Sequence, residues 1–196
     1  MSEQVAGIIL AAGESRRLGQ PKQLLDWKGK PFVRQVAETA LAARLEPVIV
    51  VTGAAAAEVK TALHGLAVQL VHNADWAEGQ SGSVKAGLAA VPPEASAAIF
   101  MVVDQPQLPV RLLDALQEHY AEQHPPIIAT LVDGRRTNPV LFHRSTFADF
   151  ASLTGDTGGR ALFSKHQVTW YPWLDTSLAF DVDTPEDYER LLRFFS

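Results

Sequence analysis

Residues 10–22 read Leu-Ala-Ala-Gly-Glu-Ser-Arg-Arg-Leu-Gly-Gln-Pro-Lys, small residues followed closely by three cations. A turn built from Ala11, Ala12 and Gly13 lets backbone N–H groups approach an anion unobstructed, and Arg16, Arg17 and Lys22 add charge. The stretch from Arg16 to Lys30 holds five of the 17 basic residues against one acid, Asp26, in a chain of net charge −5. A local phosphate site in an acidic protein is the sharp reading; a plain turn beside a solvated basic face is the bland one. Neither common phosphate loop is present. Gly13 and Gly19 do not make G-x-G-x-x-G, and Lys22 lacks the preceding glycine and following Ser or Thr of a P-loop. A second chemical position is acidic: Asp104 is the only acid between Glu94 and Asp114 and follows the apolar run 99–103. A carboxylate there suits a Mg²⁺ ligand, because a hard cation takes oxygen donors and uses one or two carboxylates plus phosphate oxygens. A cap or surface turn is its ordinary alternative. At 78–84, Glu-Gly-Gln-Ser-Gly-Ser-Val opens a predicted helix, where Ser81 or Ser83 would serve as N-cap.

The elements that must position these groups alternate. The apolar run 5–12 predicts a strand buried on both faces, followed by a helix over 32–45 that starts after Pro31. Strand 48–52, helix 54–64 and strand 68–72 complete a β-α-β-α-β series, which requires parallel pairing with helical crossovers. A helix over 83–90, a strand over 97–103, a helix over 109–122 and a strand over 127–132 follow. Beyond them the pattern is less regular: a turn over 133–136, a short antiparallel strand over 140–142 and a late strand over 168–173. Thr184 with Asp187 three residues on opens a closing helix over 185–195 in the manner of a capping box, and Glu186 and Asp187 suit its N-terminal dipole. The expected architecture is α/β: a doubly wound, mostly parallel sheet in a single domain over 1–196, with an irregular part that includes antiparallel strand. Ligands of such sheets sit beyond the carboxyl ends of the strands, where the loop at 10–22 and Asp104 both fall.

The loop at 10–22 matches every fixed position of L-A-[AG]-G-x-S-x-R-[ML]-G-x-x-K, and so resembles the signature of the MobA-like nucleotidyltransferases. The resemblance implies a Rossmann-like nucleotidyltransferase fold, with a nucleotide-binding half over about 1–106 and an acceptor-binding half over about 107–196. It further implies that Leu10, Ala11, Ala12 and Gly13 contact the nucleotide, and that Arg17 and Lys22 clamp its triphosphate. Asp104, in Asp-Gln-Pro, resembles the family's metal-holding aspartate, and segment 180–187 resembles the closing D-x-D-T-P-E-D, making Asp183 the second Mg²⁺ ligand with Asp181 as alternative. The Gly/Ser loop adds Gly79 and Ser83, with Ser83 at the base. Ala12, where guanylyl-transferring relatives tend to carry Gly, favours CTP. Segments 137–142 and 154–160 resemble the acceptor half of the molybdenum cofactor cytidylyltransferases and implicate Asn138, Pro139, Asp156 and Arg160. Thr137 replaces that motif's usual glycine, and a β-branched residue resists a positive φ. The resemblance thus implies transfer of CMP from CTP to a molybdopterin-type acceptor, with a molybdoenzyme or its maturation chaperone as recipient. GTP, a sugar phosphate or methylerythritol phosphate are the substrate alternatives. A nicotinamide oxidoreductase and a non-catalytic cofactor carrier are the other classes.

Composition narrows the field. No cysteine is present, which excludes disulfides, thiolate metal sites and cysteine nucleophiles. The acidic balance argues against a nucleic-acid partner, and the apolar runs are far shorter than the roughly 20 residues of a membrane span. Ser2, Glu3 and Gln4 replace the basic start of a secretory signal, so a cytoplasmic location is expected. The six histidines show no ligand spacing, and Trp27, Trp76, Trp170 and Trp173 read as core or pocket-wall residues rather than a base-stacking platform.

Overall fold

The computed structural model describes residues 3–196; Ser2, part of the non-basic start, lies outside the described residues. In chain order the elements are β1 (Gln4–Ala11), β2 (Asp26–Trp27), β3 (Lys30–Pro31), α1 (Phe32–Ala42), β4 (Val48–Thr52), α2 (Ala56–Ala62), β5 (Gln69–His72) and α3 (Gln80–Ala89). They continue with β6 (Ala95–Val102), α4 (Val110–Gln123), β7 (Ile127–Val132), β8 (Arg135–His143), β9 (Val168–Pro172) and α5 (Pro185–Phe194). Seven strands form one sheet in the order β5-β4-β1-β6-β8-β7-β9, and β2 and β3 pair as a separate small ribbon. Every neighbour in the large sheet is parallel except β8, which runs antiparallel to both β6 and β7. The expected doubly wound, mostly parallel sheet is the fold observed.

The period-2 rule explains how β1 serves two cores. Val5, Ile9 and Ala11 enter a cluster with Phe32 and Val36 of α1, Leu112 and Leu116 of α4 and Leu191 of α5. Ala6 and Ile8 enter the opposite cluster, with Val84 of α3 and the aromatic group Phe100, Phe142 and Phe150. From β1 the chain crosses through α1 to β4 on one side, and later through α3 to β6 on the other. The crevice that opens at such a switch lies at the carboxyl ends of β1 and β6.

Several expectations shift. α3 begins at Gln80, so Ser81 and Ser83 lie inside it and neither caps it; the cap position is Gly79. The reason is tertiary: the Ser81 N–H donates to the Gly155 carbonyl at 3.0 Å, which supplies the partner a cap would have given. β8 reaches back to Arg135, leaving only Asp133 and Gly134 in the turn. The capping box of α5 is present: Thr184 Oγ1 accepts from the Asp187 N–H at 3.2 Å, and Asp187 Oδ2 from the Thr184 N–H at 3.0 Å. Among the described residues no helix is long and apolar enough to cross a membrane.

Candidate active site

The loop that leaves β1 is pinned from beneath by a residue that the sequence did not point to. Gln23 is fully buried, and its Nε2 donates to the carbonyls of Ala11 at 2.9 Å and Gly13 at 2.7 Å. The Ala12 carbonyl between them accepts from the Ala54 N–H at 3.1 Å. Three consecutive carbonyl dipoles are thereby engaged within the protein, which removes the backbone's negative ends from an anion's path. Ser15 adopts a left-handed conformation, φ 60°, and its Oγ accepts from the Lys22 N–H at 3.0 Å, closing the loop onto the lysine.

Lys22 joins two carboxylates that are far apart in the chain, Asp104 and Asp183. Its Nζ donates to Asp104 Oδ2 at 3.1 Å and to Asp183 Oδ1 at 2.7 Å, while Arg17 Nη2 donates to Asp183 Oδ2 at 2.9 Å. A backbone bond from the Val182 N–H to the Asp104 carbonyl, 3.3 Å, holds the end of β6 beside the segment that carries Asp183. Burial is the largest influence on Lys22 and alone would lower its pKa, yet the two carboxylates together raise it. Burial pushes Asp104 above the usual carboxylate range despite the pull of Lys22, whereas the Lys22 hydrogen bond holds Asp183 below that range. Asp181, two residues away and exposed in the lining of the smaller cavity, is pushed up to about 6, chiefly by partial desolvation there and then by the Asp104 charge. Its Oδ1 accepts from Gln105 Nε2 at 2.8 Å, not from Lys22.

The donor set fits a divalent cation. Asp104 Oδ1 is buried without a hydrogen-bond partner, an expensive state for a carboxylate oxygen that a cation would relieve. Among the described residues no group of three or more His, Cys, Asp or Glu gathers to hold a metal unaided. Two carboxylates completed by substrate oxygens is the arrangement the site can offer, and it suits Mg²⁺.

Two cavities, of about 810 and 610 Å³, meet at this cluster. Of the sequence-predicted residues, Ala12, Gly13, Arg17, Lys22, Ser83 and Asp183 line the larger, together with Gly79. Asn138, Arg160 and Asp181 line the smaller, whose apolar wall includes Phe100 and Phe142. Leu10, Asp104 and Asp156 border both. Ala11 and Pro139 border neither: Ala11 is buried, and the Pro139 carbonyl accepts from Thr130 Oγ1 at 2.7 Å. Ser83 is buried and its Oγ accepts from Asn73 Nδ2 at 3.0 Å. Gly79, at φ 116° in the lining of the larger cavity, packs directly on backbone: an added Cβ would lie 2.3 Å from the Gly155 carbonyl carbon. Thr137 does not sit in a turn of positive φ; it is a buried residue of β8 whose Oγ1 accepts from Gln105 Nε2 at 2.9 Å. The tryptophans divide: Trp27 is buried, Trp76 lines the larger cavity, Trp173 is partly buried, and Trp170 corrects the expectation. It lies 43% exposed on β9, an edge strand, where Phe163 meets its ring edge-to-face at 5.7 Å and leaves the rest to solvent.

The family model of the MobA-like NTP transferase domain matches residues 7–169. The chain belongs to that family. This MobA-like chain is 33% identical to the nicotine blue oxidoreductase of Paenarthrobacter nicotinovorans, over 96% of each protein. It is also 33% identical to the purine catabolism protein PucB of Bacillus subtilis, over 100% of this chain and 99% of that one. A probable molybdenum cofactor guanylyltransferase of Bacillus cytotoxicus is 24% identical over 97% of both. Among solved structures, Rv0371c of Mycobacterium tuberculosis is 30% identical, with a TM-score of 0.86 over 98% of this chain and all of that one. A complex of Rv0371c with manganese aligns with a TM-score of 0.82, at 29% identity over 97% of this chain and 98% of that one.

Proposed function

We propose that the protein transfers CMP from CTP to the terminal phosphate of a molybdopterin-type acceptor and releases pyrophosphate. The observation that carries this reading is Lys22, bonded at once to Asp104 and Asp183 where the two cavities meet. A cation-binding pair of carboxylates beside a loop rich in cations is what a triphosphate requires, and the second cavity gives an acceptor access to the same carboxylate. The choice of molybdopterin draws support from the relative named as a molybdenum cofactor guanylyltransferase, and that of CTP from Ala12. On this reading the chain is one domain. Residues to about 106 serve the nucleotide and the rest the acceptor, through Asn138, Asp156 and Arg160, while Asp183 reaches back to the nucleotide side. The reaction belongs in the cytoplasm, and its product passes to a molybdoenzyme or its maturation chaperone.

An acceptor phosphate oxygen attacks the α-phosphorus of CTP in line; the new P–O bond forms as the bond to the bridging oxygen of the β-phosphate breaks, and that oxygen leaves with pyrophosphate. A phosphate monoester has its second pKa near 6, so the attacking oxygen is largely ionised at neutral pH and no general base is needed. Asp104 and Asp183 would hold Mg²⁺, which supplies charge neutralisation to the triphosphate. Lys22 and Arg17 would then exchange their carboxylate partners for phosphate oxygens and balance the charge that develops on the leaving group. Positioning and electrostatics of this kind dominate phosphoryl transfer.

The 33% identity to a protein named nicotine blue oxidoreductase favours a second reading, the nicotinamide oxidoreductase class. Hydride transfer has no use for two carboxylates held on a lysine. The test is pyrophosphate release with CTP, Mg²⁺ and molybdopterin, run beside GTP and beside NADH oxidation with nicotine blue. Release with CTP and acceptor together supports the proposal; release with GTP alone moves the nucleotide assignment, and NADH oxidation without pyrophosphate overturns the reaction class.

A further inference from the structure

We infer that Gln105 is a positioning residue that withholds Asp181 from the cation site, so that Asp183 alone joins Asp104 there. The inference rests on the reading of Asp104 and Asp183 as the cation pair. Asp181 and Asp183 carry the same carboxylate and flank Val182, which is fully buried with its N–H tied to the Asp104 carbonyl at 3.3 Å. Both carboxylates therefore leave the chain beside Asp104, and the charges of Asp104 and Asp183 both act on Asp181. Yet Asp183 lines the larger cavity and not the smaller, and Asp181 the smaller and not the larger. Their side-chain partners separate them: Lys22 and Arg17 take Asp183, and Gln105 Nε2 donates to Asp181 Oδ1 at 2.8 Å.

The amide that holds Asp181 is itself fixed. Gln105 is almost wholly buried, and its Nε2 also donates to Thr137 Oγ1 of β8 at 2.9 Å and to the Leu178 carbonyl at 3.1 Å. Two N–H groups thus serve three acceptors, of which the carboxylate is the nearest and makes the strongest kind of bond. Thr137 stands where the acceptor motif usually has glycine, and a glycine would offer the amide no hydroxyl; the chain's departure from that motif is spent on aiming Gln105. The backbone of the segment is held separately. Gln107 Nε2 donates to the carbonyls of Ser177 at 3.1 Å and Phe180 at 2.9 Å. Loss of the Gln105 amide therefore frees the Asp181 side chain while the segment stays attached, and the freed carboxylate lies close enough to Asp104 to become a ligand.

The experiment measures by calorimetry the factor by which Mn²⁺ strengthens CTP binding to the full chain, with no acceptor present. Asp183→Asn should cut that factor by about tenfold or more, at least the loss that removal of an outer-shell partner brings. Gln105→Met keeps the length of the side chain and removes its amide. The double variant Gln105→Met/Asp183→Asn should exceed Asp183→Asn by about fivefold or more, beyond the roughly twofold scatter of independent sites, because the freed Asp181 replaces the lost ligand. Adding Asp181→Asn should abolish that recovery. A glutamine that only braces the fold gives no recovery, since its loss weakens metal binding with or without Asp183. Should Gln105→Met unfold, the native Gln105 background still supplies a test: Asp181→Asn/Asp183→Asn should match Asp183→Asn, because Asp181 is already withheld. No recovery in Gln105→Met/Asp183→Asn, or a further loss in Asp181→Asn/Asp183→Asn, overturns the inference and leaves the cation pair standing. A Mn²⁺ factor that Asp183→Asn does not change overturns both.

Discussion

The two cavities that share Asp104 are built in opposite ways. The larger sits at the carboxyl ends of the parallel strands β1 and β6, its loop fastened by the buried Gln23 and its charges paired before any ligand arrives. The smaller is assembled from the single antiparallel strand β8, the segment 156–161 and an aromatic wall. Asp183 and Asp181 express the contrast within three residues: a lysine holds the first below its ordinary pKa, and partial desolvation raises the second to about 6. A site for an invariant triphosphate benefits from preorganised charge, whereas loops on a fixed scaffold allow acceptors to vary.

The contrast breaks most sharply if charge in the larger cavity proves dispensable. Lys22→Ala should lower turnover by two or more decades with the far-ultraviolet circular dichroism unchanged, in keeping with loss of a charge-stabilising group; unchanged turnover would remove the phosphate role. Gln23→Leu should raise the apparent KM for the nucleotide and cost about 1–3 kcal/mol of stability in urea unfolding, because it strands two carbonyls; a nucleotide KM as in wild type would mean that the loop needs no fastening. Arg160→Ala should raise the acceptor KM by about tenfold, the worth of one charge-assisted contact, and leave nucleotide affinity by calorimetry unaltered; weakened nucleotide affinity would blur the division between cavities. The smallest effect concerns pH. The raised pKa of Asp181 contributes stability that is fully present below its unfolded value near 3.8 and is lost as pH rises through about 6. Solvent screening limits it to about 1 kcal/mol. Asp183, held low, keeps its contribution throughout that window and loses it only in stronger acid. Asp181→Asn should therefore flatten the decline in unfolding free energy between pH 4 and 6, and a slope equal to wild type would show that Asp181 does not titrate there.

How far the sequence reveals all this depends on whether a feature is local. Strands 48–52 and 127–132 and the Thr184 and Asp187 capping box stand where the chain pattern puts them, because burial on two faces and a three-residue spacing are both visible in a short window. The loop at 10–22 and the convergence of Lys22, Asp104 and Asp183 were legible from the family motif, one strand-end acid and the resemblance of segment 180–187. Gln23 was not, since a glutamine after a lysine looks like solvent-facing polarity until the fold places two carbonyls against its amide. The early start of α3 and the ordinary strand conformation of Thr137 likewise depend on Gly155 and Gln105, which are distant in the chain. β2 and β3, two residues each, are too short for any periodicity. The exposure of Trp170 follows from the edge position of β9, which only the strand order reveals.

The central claim is that Asp104 and Asp183 together hold a divalent cation on a triphosphate. Crystals grown with CTP and Mn²⁺ and measured at the manganese absorption edge test it most directly. The predicted result is an anomalous peak between the two carboxylates and the triphosphate, with Lys22 Nζ moved from the aspartates to a phosphate oxygen. Manganese and triphosphate bound elsewhere, with Lys22 still bridging Asp104 and Asp183, would contradict it.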